Sequence, residues 1–292
     1  RYLREWLSSN AAMGYIGYDA EEDEFALSPE QAALFSNEGE PTCMQGFFQA
    51  VVGQFATHEL AVDTFKTGEG RAWDDHHSCC FCGTNRFFRT GYAASLTSDW
   101  IPALTGVEAK LQAGARIADV GCGLGSSSIL MASAYPNSTV CGFDYHLSSI
   151  EKAIQSADHE KLTNISFSQV LAKELPGNDY DLVCIFDALH DMGDPVGAAK
   201  RIKSALKPGG TFMVVEPLAG DSLEENMNLL SGIMYGFSTT ICVPVSRSQE
   251  VGLCLGSQAG EKRLSKVLKE AGFSKIKRVA ETPSNMVLEA IA

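Results

Sequence analysis

The chain has 292 residues, with 23 Lys plus Arg against 36 Asp plus Glu and a formal net charge of -13. This balance argues against a nucleic-acid partner, because nucleic-acid binding depends on basic side chains that neutralise phosphates. Hydrophobic residues make up 45% of the chain, and no uninterrupted apolar run approaches the roughly 20 residues of a membrane helix, so we expect no membrane partner. The nine cysteines, an odd number spread through the sequence, predict reduced thiols and a cytoplasmic location.

Residues 1–38 are predicted to form a helix, a hairpin and a second helix. Leu3, Trp6 and Leu7 share one helical face, and Ser28 followed by Pro29 is typical of a helix start. The order is that of the end of a winged-helix domain, so we expect further residues before Arg1. The hairpin tip, residues 19–24, carries five carboxylates that would repel phosphate, which favours a dimerisation or lid role over DNA binding.

Residues 39–98 are predicted to be a helical linker and cap. They contain the run Trp73-Asp74-Asp75-His76-His77 and the cysteines Cys79, Cys80 and Cys82. Cys79 and Cys82 supply half of a zinc site, whereas a structural site needs four ligands in a tetrahedral arrangement. We therefore predict that the protein binds no stoichiometric zinc, and we predict that Trp73 and His77 cap a ligand cavity or pack between domains.

From residue 99 to residue 292 strands alternate with helices. The predicted strands cover residues 116–120, 139–143, 165–169, 181–186, 211–215, 275–279 and 285–289. Each of the first five is followed by a helical segment, and the last two are joined by a short turn at residues 282–284. This pattern predicts an α/β fold with a seven-stranded doubly wound sheet and an antiparallel C-terminal hairpin.

A glycine-rich loop follows the first of these strands. Gly121, Gly123 and Gly125 allow a tight turn and let a ligand approach bare backbone at a helix N-terminus. Asp119 lies two residues before Gly121, at the end of the strand, where its carboxylate can reach the ammonium group of a ligand. A loop that binds a pyrophosphate would gain no favourable interaction from this acid. Asp144 ends the second strand, in position to accept hydrogen bonds from both hydroxyls of a ribose.

These features resemble the class I S-adenosylmethionine-dependent methyltransferases, which have a Rossmann-like fold. The residues that carry the resemblance are Asp119-Val120-Gly121-Cys122-Gly123-Leu124-Gly125, Phe143-Asp144, Asp181-Leu182-Val183 and Pro208-Gly209-Gly210, with the final hairpin. Further runs resemble a subgroup with an N-terminal winged-helix domain: Trp73-Asp74-Asp75-His76-His77, Phe81-Cys82-Gly83, Gly142-Phe143-Asp144-Tyr145-His146, Leu189-His190-Asp191-Met192-Gly193-Asp194-Pro195 and Ser248-Gln249-Glu250-Val251-Gly252.

The resemblance implies a binding site for S-adenosylmethionine and for its product S-adenosylhomocysteine. The residues it assigns to cofactor binding are Asp119, Gly121, Cys122, Gly123, Asp144, Tyr145 and Asp187. Asp119 and the glycine loop would hold the methionine end, Asp144 the ribose and Tyr145 the adenine. Residues 170–173 lack the acid that many members of the family carry there, so we expect backbone groups to recognise the adenine.

The end of the fourth strand is where the acceptor should meet the methyl group, because doubly wound sheets bind ligands at the carboxyl ends of their strands. His190 is the candidate general base, with Asp191 orienting it or capping the next helix. A histidine that only hydrogen-bonds within its loop is an equal alternative. The apolar segment around Tyr235 is expected either to join the core or to cover the acceptor together with Trp73 and His77.

We therefore predict a methyltransferase that acts on a small, partly apolar molecule, and we leave a homodimer open. One alternative is a cofactor-sensing winged-helix transcriptional regulator, which would need a basic recognition helix. Another is a nicotinamide-dependent dehydrogenase, which Asp119 and the terminal hairpin disfavour.

Overall fold

The computed structural model describes all residues, 1–292. The chain divides into two compact units, one formed by Arg1–Phe55 with His77–Gly91 and the other by Ala56–His76 with Tyr92–Ala292. The domain boundaries predicted from the sequence, at residues 38 and 98, stay predictions.

Helices α1–α13 span Tyr2–Ala12, Pro29–Phe35, Gln45–Ala56, His58–Thr67, Ser78–Ser95, Ile101–Ala103, Val107–Ala113, Ser126–Ala134, Leu147–His159, Pro195–Ala205, Leu229–Thr240, Cys242–Ser248 and Gly260–Glu270. Strands β1–β9 span Gly17–Asp19, Glu24–Ala26, Arg116–Val120, Thr139–Asp144, Ile165–Gln169, Tyr180–Phe186, Leu206–Pro217, Lys275–Glu281 and Asn285–Ile291. Short 3₁₀ turns cover Trp73–Asp75, Ala172–Glu174 and Leu189–Asp191, and a π-helical turn covers Leu96–Trp100.

The smaller unit has the predicted helix, hairpin and helix at its start. Strands β1 and β2 pair antiparallel, and Ser28 caps α2 through the backbone N–H of Gln31. At the hairpin tip, Asp23 accepts a hydrogen bond from the Tyr18 hydroxyl at 2.8 Å and also pairs with Arg4. One of the five tip carboxylates is thus neutralised within the unit. That this segment belongs to a winged-helix domain stays a prediction.

The larger unit is built on a seven-stranded sheet in the order β5-β4-β3-β6-β7-β9-β8. Strands β3 to β7 pair in parallel, whereas β9 runs antiparallel to both β7 and β8. The central strands are almost entirely buried, as expected for a parallel sheet covered by helices on both faces. The predicted doubly wound sheet with an antiparallel C-terminal hairpin is confirmed.

The predicted strands agree with the structure to within a residue or two through β6. Strands β3 and β5 have the predicted bounds, β4 extends one residue to Asp144, and β6 begins one residue earlier at Tyr180. Strand β7 is longer than predicted because Leu206 already pairs with β6. Its register then shifts, so that the run Pro208-Gly209-Gly210 lies inside the bounds of the strand.

The sequence analysis found no apolar run as long as a membrane helix, but the helical segment Leu229–Ser248 is long and apolar enough to cross a membrane by length and composition alone. Serines, threonines and glycines interrupt it, which is why the sequence showed no continuous apolar run. The structure separates α11 from α12 at Ile241 and buries 39% of the window. Core helices of soluble proteins can pass the same test of length and composition, so one such segment is weak evidence for a membrane span.

Candidate active site

Four acidic residues lie at or just beyond the carboxyl ends of adjacent strands in the larger unit. Asp119 is on β3, Asp144 ends β4, Asp187 follows β6 and Glu216 lies near the end of β7. Because these strands are neighbours in the sheet, one edge gathers residues that are almost 100 positions apart in the chain. This edge is where doubly wound folds bind ligands.

The glycine loop between β3 and α8 is tied to the neighbouring strand. The backbone N–H groups of Gly121 and Cys122 both donate to the Phe143 carbonyl, at 2.7 and 3.1 Å. Gly121 has a φ of 75°, and a β-carbon there would lie 2.9 Å from that of Ala188. At Gly123, with a φ of 52°, a β-carbon would meet no atom within 4 Å. The backbone of Gly123 therefore faces open space that a ligand can enter.

Asp119 is more enclosed than the sequence led us to expect. Its Oδ2 accepts hydrogen bonds from the hydroxyls of Ser127 and Ser128, both at 2.6 Å, and its side chain is fully buried. Its Oδ1 is buried without a hydrogen-bond partner. Burial raises the pKa of Asp119 to about 6, although the two serine hydroxyls counteract this shift. The unpartnered oxygen is a candidate acceptor for a cationic ligand group.

Asp144 organises the loops on both sides of it. Its Oδ2 accepts from the Gly123 N–H at 2.8 Å, and its Oδ1 accepts from the His146 N–H at 2.9 Å. Burial raises the pKa of this carboxyl, while these hydrogen bonds oppose the shift. Each carboxylate oxygen can accept a further hydrogen bond. Tyr145, the next residue in the chain, is 37% exposed, and its predicted place against the adenine stays a prediction.

Asp187 is held by two residues that sequence analysis did not identify. Its Oδ2 accepts from the Tyr92 hydroxyl at 2.6 Å, and its Oδ1 accepts from the Asn285 side-chain amide at 2.7 Å. Its backbone φ of 49° is rare outside glycine and fixes the turn after β6. Burial, followed by the negative charge of Glu216, raises the pKa of Asp187 to about 7. Its assignment as a cofactor contact stays a prediction.

His190 is buried between two carboxylates. Its Nδ1 pairs with Oε2 of Glu216, and its Nε2 lies 3.1 Å from Oδ1 of Asp191. Glu216 is 1% exposed and also accepts from the Leu189 N–H at 2.9 Å. Burial alone would lower the pKa of His190, but Glu216 and then Asp191 raise it well above its usual value.

This arrangement bears on the predicted role of His190. An imidazole that keeps its proton near neutral pH has no lone pair with which to act as a base. The geometry therefore adds nothing to the base hypothesis, and the alternative of a hydrogen-bonded loop histidine fits the contacts better. Both roles stay predictions. Sequence analysis missed Glu216, because its partner is 26 residues away and only the strand order joins them.

The segment around Trp73 spans the same edge of the sheet. Asp74 lies 3.3 Å from Nε2 of His146, and His76 Nε2 lies 3.3 Å from the Thr240 carbonyl at the end of α11. Trp73 stacks at an angle on His76, with ring centroids 5.7 Å apart. Tyr235, also on α11, accepts a hydrogen bond from Asn226 at 3.3 Å. The hydrogen bond between His76 and Thr240 thus links the segment that contains Trp73 to α11, the helix that contains Tyr235.

His77 and the neighbouring cysteines belong to the smaller unit. The His77 side chain is exposed, and its Nδ1 accepts from the Cys79 N–H at 3.2 Å. His76, in contrast, directs both ring nitrogens to backbone carbonyls. All nine cysteines are free thiols, as predicted. The placement of His77 in a substrate pocket stays a prediction.

Comparison with known proteins agrees with this architecture. The sequence profile of the methyltransferase domain family matches residues 111–272, more than half of the chain. A sterol 24-C-methyltransferase of Aspergillus fumigatus is 28% identical over 196 residues, which cover 65% of this chain and 49% of that protein. The chain thus matches about half the length of this relative.

Two solved structures share the fold over nearly the whole chain. A putative O-methyltransferase from Nostoc punctiforme has a TM-score of 0.71 at 17% identity, covering 100% of this chain and 85% of its own. Human N-acetylserotonin methyltransferase, solved in complex with S-adenosylmethionine, has a TM-score of 0.68 at 16% identity, covering 98% and 81%. At such identities the likeness concerns the fold.

This chain belongs to the methyltransferase domain family. The family match covers the glycine loop, Asp144, Asp187 and the His190 region, so the acidic edge of the sheet lies inside it. The alternative of a transcriptional regulator gains no support from these relatives.

Proposed function

We propose that this protein transfers a methyl group from S-adenosylmethionine to a small, partly apolar acceptor. The observation that carries the proposal is the glycine loop, where Gly123 faces open space and is bonded to the carboxylate of Asp144, together with the unpartnered Oδ1 of Asp119 on the preceding strand. A nicotinamide-dependent dehydrogenase binds the pyrophosphate of its cofactor at such a loop, and the negative charge of Asp119 would repel that group.

The residues present fit this cofactor. Asp119 offers an unpartnered carboxylate oxygen for the ammonium group of the methionine end, and Asp144 retains acceptor capacity for two ribose hydroxyls. Glycine at position 123 allows the positive φ of 52°, and because no atom lies where a Cβ would be, its backbone also stays open to a ligand. Tyr145 offers a partly exposed ring to the adenine.

When bound, S-adenosylmethionine supplies an electrophilic methyl group on a sulfonium. The task of this chain is then to orient the two reactants and to exclude water, which accounts for much of the rate in such displacements. Asp119 and Asp144 fix the two ends of the cofactor, while the Trp73 segment and α11 cover the acceptor side. Met234 and Phe237 on α11 favour an apolar acceptor, and the relative that acts on sterols supports the same class.

Ligand binding tests the proposal directly. By calorimetry, S-adenosylmethionine and S-adenosylhomocysteine should both bind with one-to-one stoichiometry, and NAD should not bind. A methyl-labelled cofactor incubated with a metabolite extract should then label a small molecule. Tight binding of NAD with no response to S-adenosylhomocysteine would refute the assignment.

Affinity for S-adenosylhomocysteine should depend on pH through Asp119. Burial raises the pKa of this carboxyl to about 6, so the group is ionised above that pH and neutral below it. Only the ionised form attracts the ammonium group, so affinity should fall about tenfold for each pH unit below 6. Calorimetry between roughly pH 4.5 and pH 8 measures this slope, because that range extends to both sides of the pKa of Asp119.

The isosteric variant Asp119→Asn is the control for this pH dependence. It should bind weakly at all pH values and lose most of the slope, leaving only the contribution of Asp144, whose pKa burial also raises. A wild-type affinity that stays constant below pH 6 would show that Asp119 does not contact the ligand.

The remaining sequence predictions enter the proposal unchanged. They are the winged-helix character of residues 1–38, a cytoplasmic location and a homodimer. The net charge of -13 supports the expectation of no nucleic-acid partner.

A further inference from the structure

Three side chains with metal-binding atoms meet where the 3₁₀ turn after β6, Leu189–Asp191, contacts α12. A ring nitrogen of His190, a carboxylate oxygen of Asp191 and the Cys242 thiol all lie within 4.8 Å of one another. His190 and Cys242 are buried, and Asp191 is mostly enclosed. Tetrahedral zinc, with bonds of about 2.0–2.3 Å, holds its ligand atoms about 3.3–3.8 Å apart, so this group is already close to that size.

The contacts of these residues leave one buried carboxylate oxygen without a hydrogen-bond donor, which a cation would satisfy. Asp191 Oδ1 lies 3.1 Å from His190 Nε2, yet this buried oxygen accepts no hydrogen bond. His190 Nδ1 already pairs with Glu216, which leaves Nε2 as the nitrogen that faces Asp191 and Cys242. Two carboxylates around one imidazole give the cluster an excess of negative charge, which is costly to bury without compensation.

Glu216 adds the outer contact that metal-binding histidines usually have. Such histidines donate their second ring N–H to a carboxylate or carbonyl, which fixes the tautomer and raises the basicity of the metal-binding nitrogen. Glu216 accepts in this way from His190 Nδ1 and is itself held by the Leu189 N–H.

Hydrogen bonds also hold the two elements together. Gln249 donates to the Asp191 carbonyl at 3.0 Å and accepts from the Gly193 N–H at 3.0 Å, and the Ser246 hydroxyl donates to the Met192 carbonyl at 2.9 Å. The cysteine is therefore positioned independently of any ion.

We propose that His190 Nε2, Asp191 Oδ1 and Cys242 Sγ bind one divalent transition-metal ion, with zinc as the best match to this mixed donor set. The Cys242 thiol, and Nε2 where it is protonated, release their protons to solvent on binding. Thiolate and carboxylate then balance the charge of the ion. The fourth coordination position stays open, as in catalytic zinc sites. If the protein transfers methyl groups as proposed above, an acceptor hydroxyl or thiol would bind at this position, and the ion would favour the ionised form of that acceptor.

Metal content tests the site without any assay of methyl transfer. Protein produced without a histidine tag, loaded with Zn²⁺ and desalted, should retain one equivalent. Cys242→Ser and Asp191→Asn should lose it, and Glu216→Gln should weaken binding about 10- to 100-fold. Co²⁺ in the wild type should give a thiolate charge-transfer band, a test that remains if a variant fails to fold.

The double variant Cys79→Ser/Cys82→Ser is the matched control and should keep its zinc. The site is refuted if the wild type retains no ion and shows no cobalt–thiolate band, if Cys242→Ser keeps a full equivalent, or if only the double variant loses it. S-adenosylhomocysteine calorimetry on the same preparations reports the proposed function separately, because Asp119 and Asp144 are not metal ligands here.

Discussion

Asp144→Ala is expected to lower the affinity for S-adenosylhomocysteine by about a hundredfold to ten-thousandfold. Two ribose hydrogen bonds to a charged acceptor contribute about 1.5–3 kcal/mol each, so their joint loss is about 3–6 kcal/mol. The same carboxylate also holds the N–H groups of Gly123 and His146, so the variant loosens both loops that shape the nucleoside end. Calorimetry at neutral pH, where wild-type Asp119 is ionised, measures the change.

Asp158→Ala provides the control for this variant, because Asp158 has the same side chain on the exposed face of α9. Its affinity should equal that of the wild type. An unchanged affinity in Asp144→Ala would place the ribose elsewhere and remove the main support for the cofactor orientation proposed above.

The regular elements of the larger unit could be predicted from local signals. Short strand-like runs, each followed by a helical segment, gave the bounds of β3 and β5, and the acids at strand ends gave Asp119 and Asp144. For β3 the signal survives because a buried parallel strand leaves little choice of residue or register, whereas β5 is a partly exposed edge strand.

The partners of the site residues could not be predicted in this way. Glu216, Tyr92 and Cys242 contact the β6 turn only because the sheet order and the path of α12 bring them there. The prediction of no zinc considered only the cluster of histidine and cysteine near residue 79, whereas the donor set proposed above is assembled from residues more than 50 positions apart. Likewise, Asp119 was expected to be free for a ligand, but Ser127 and Ser128 occupy one of its oxygens.

Glu216→Ala is expected to lower the free energy of unfolding by about 3–5 kcal/mol, the usual cost of removing one partner of a buried charged pair. The variant leaves His190 without the acceptor for Nδ1 and the Leu189 N–H without its carboxylate, and it opens a cavity beside β7. Urea denaturation followed through the buried Trp100 measures the effect in the same unit.

Two further variants separate charge from shape. Glu216→Gln keeps the volume and an acceptor for the Leu189 N–H but removes the charge, so its cost should fall between the wild type and Glu216→Ala. Glu270→Ala breaks only an exposed pair with Lys266 on α13 and should change stability by at most about 1 kcal/mol. If Glu216→Ala were as mild as Glu270→Ala, then Glu216 would not be anchoring His190, and the turn after β6 would owe its conformation to Asp187, Tyr92 and Asn285 alone.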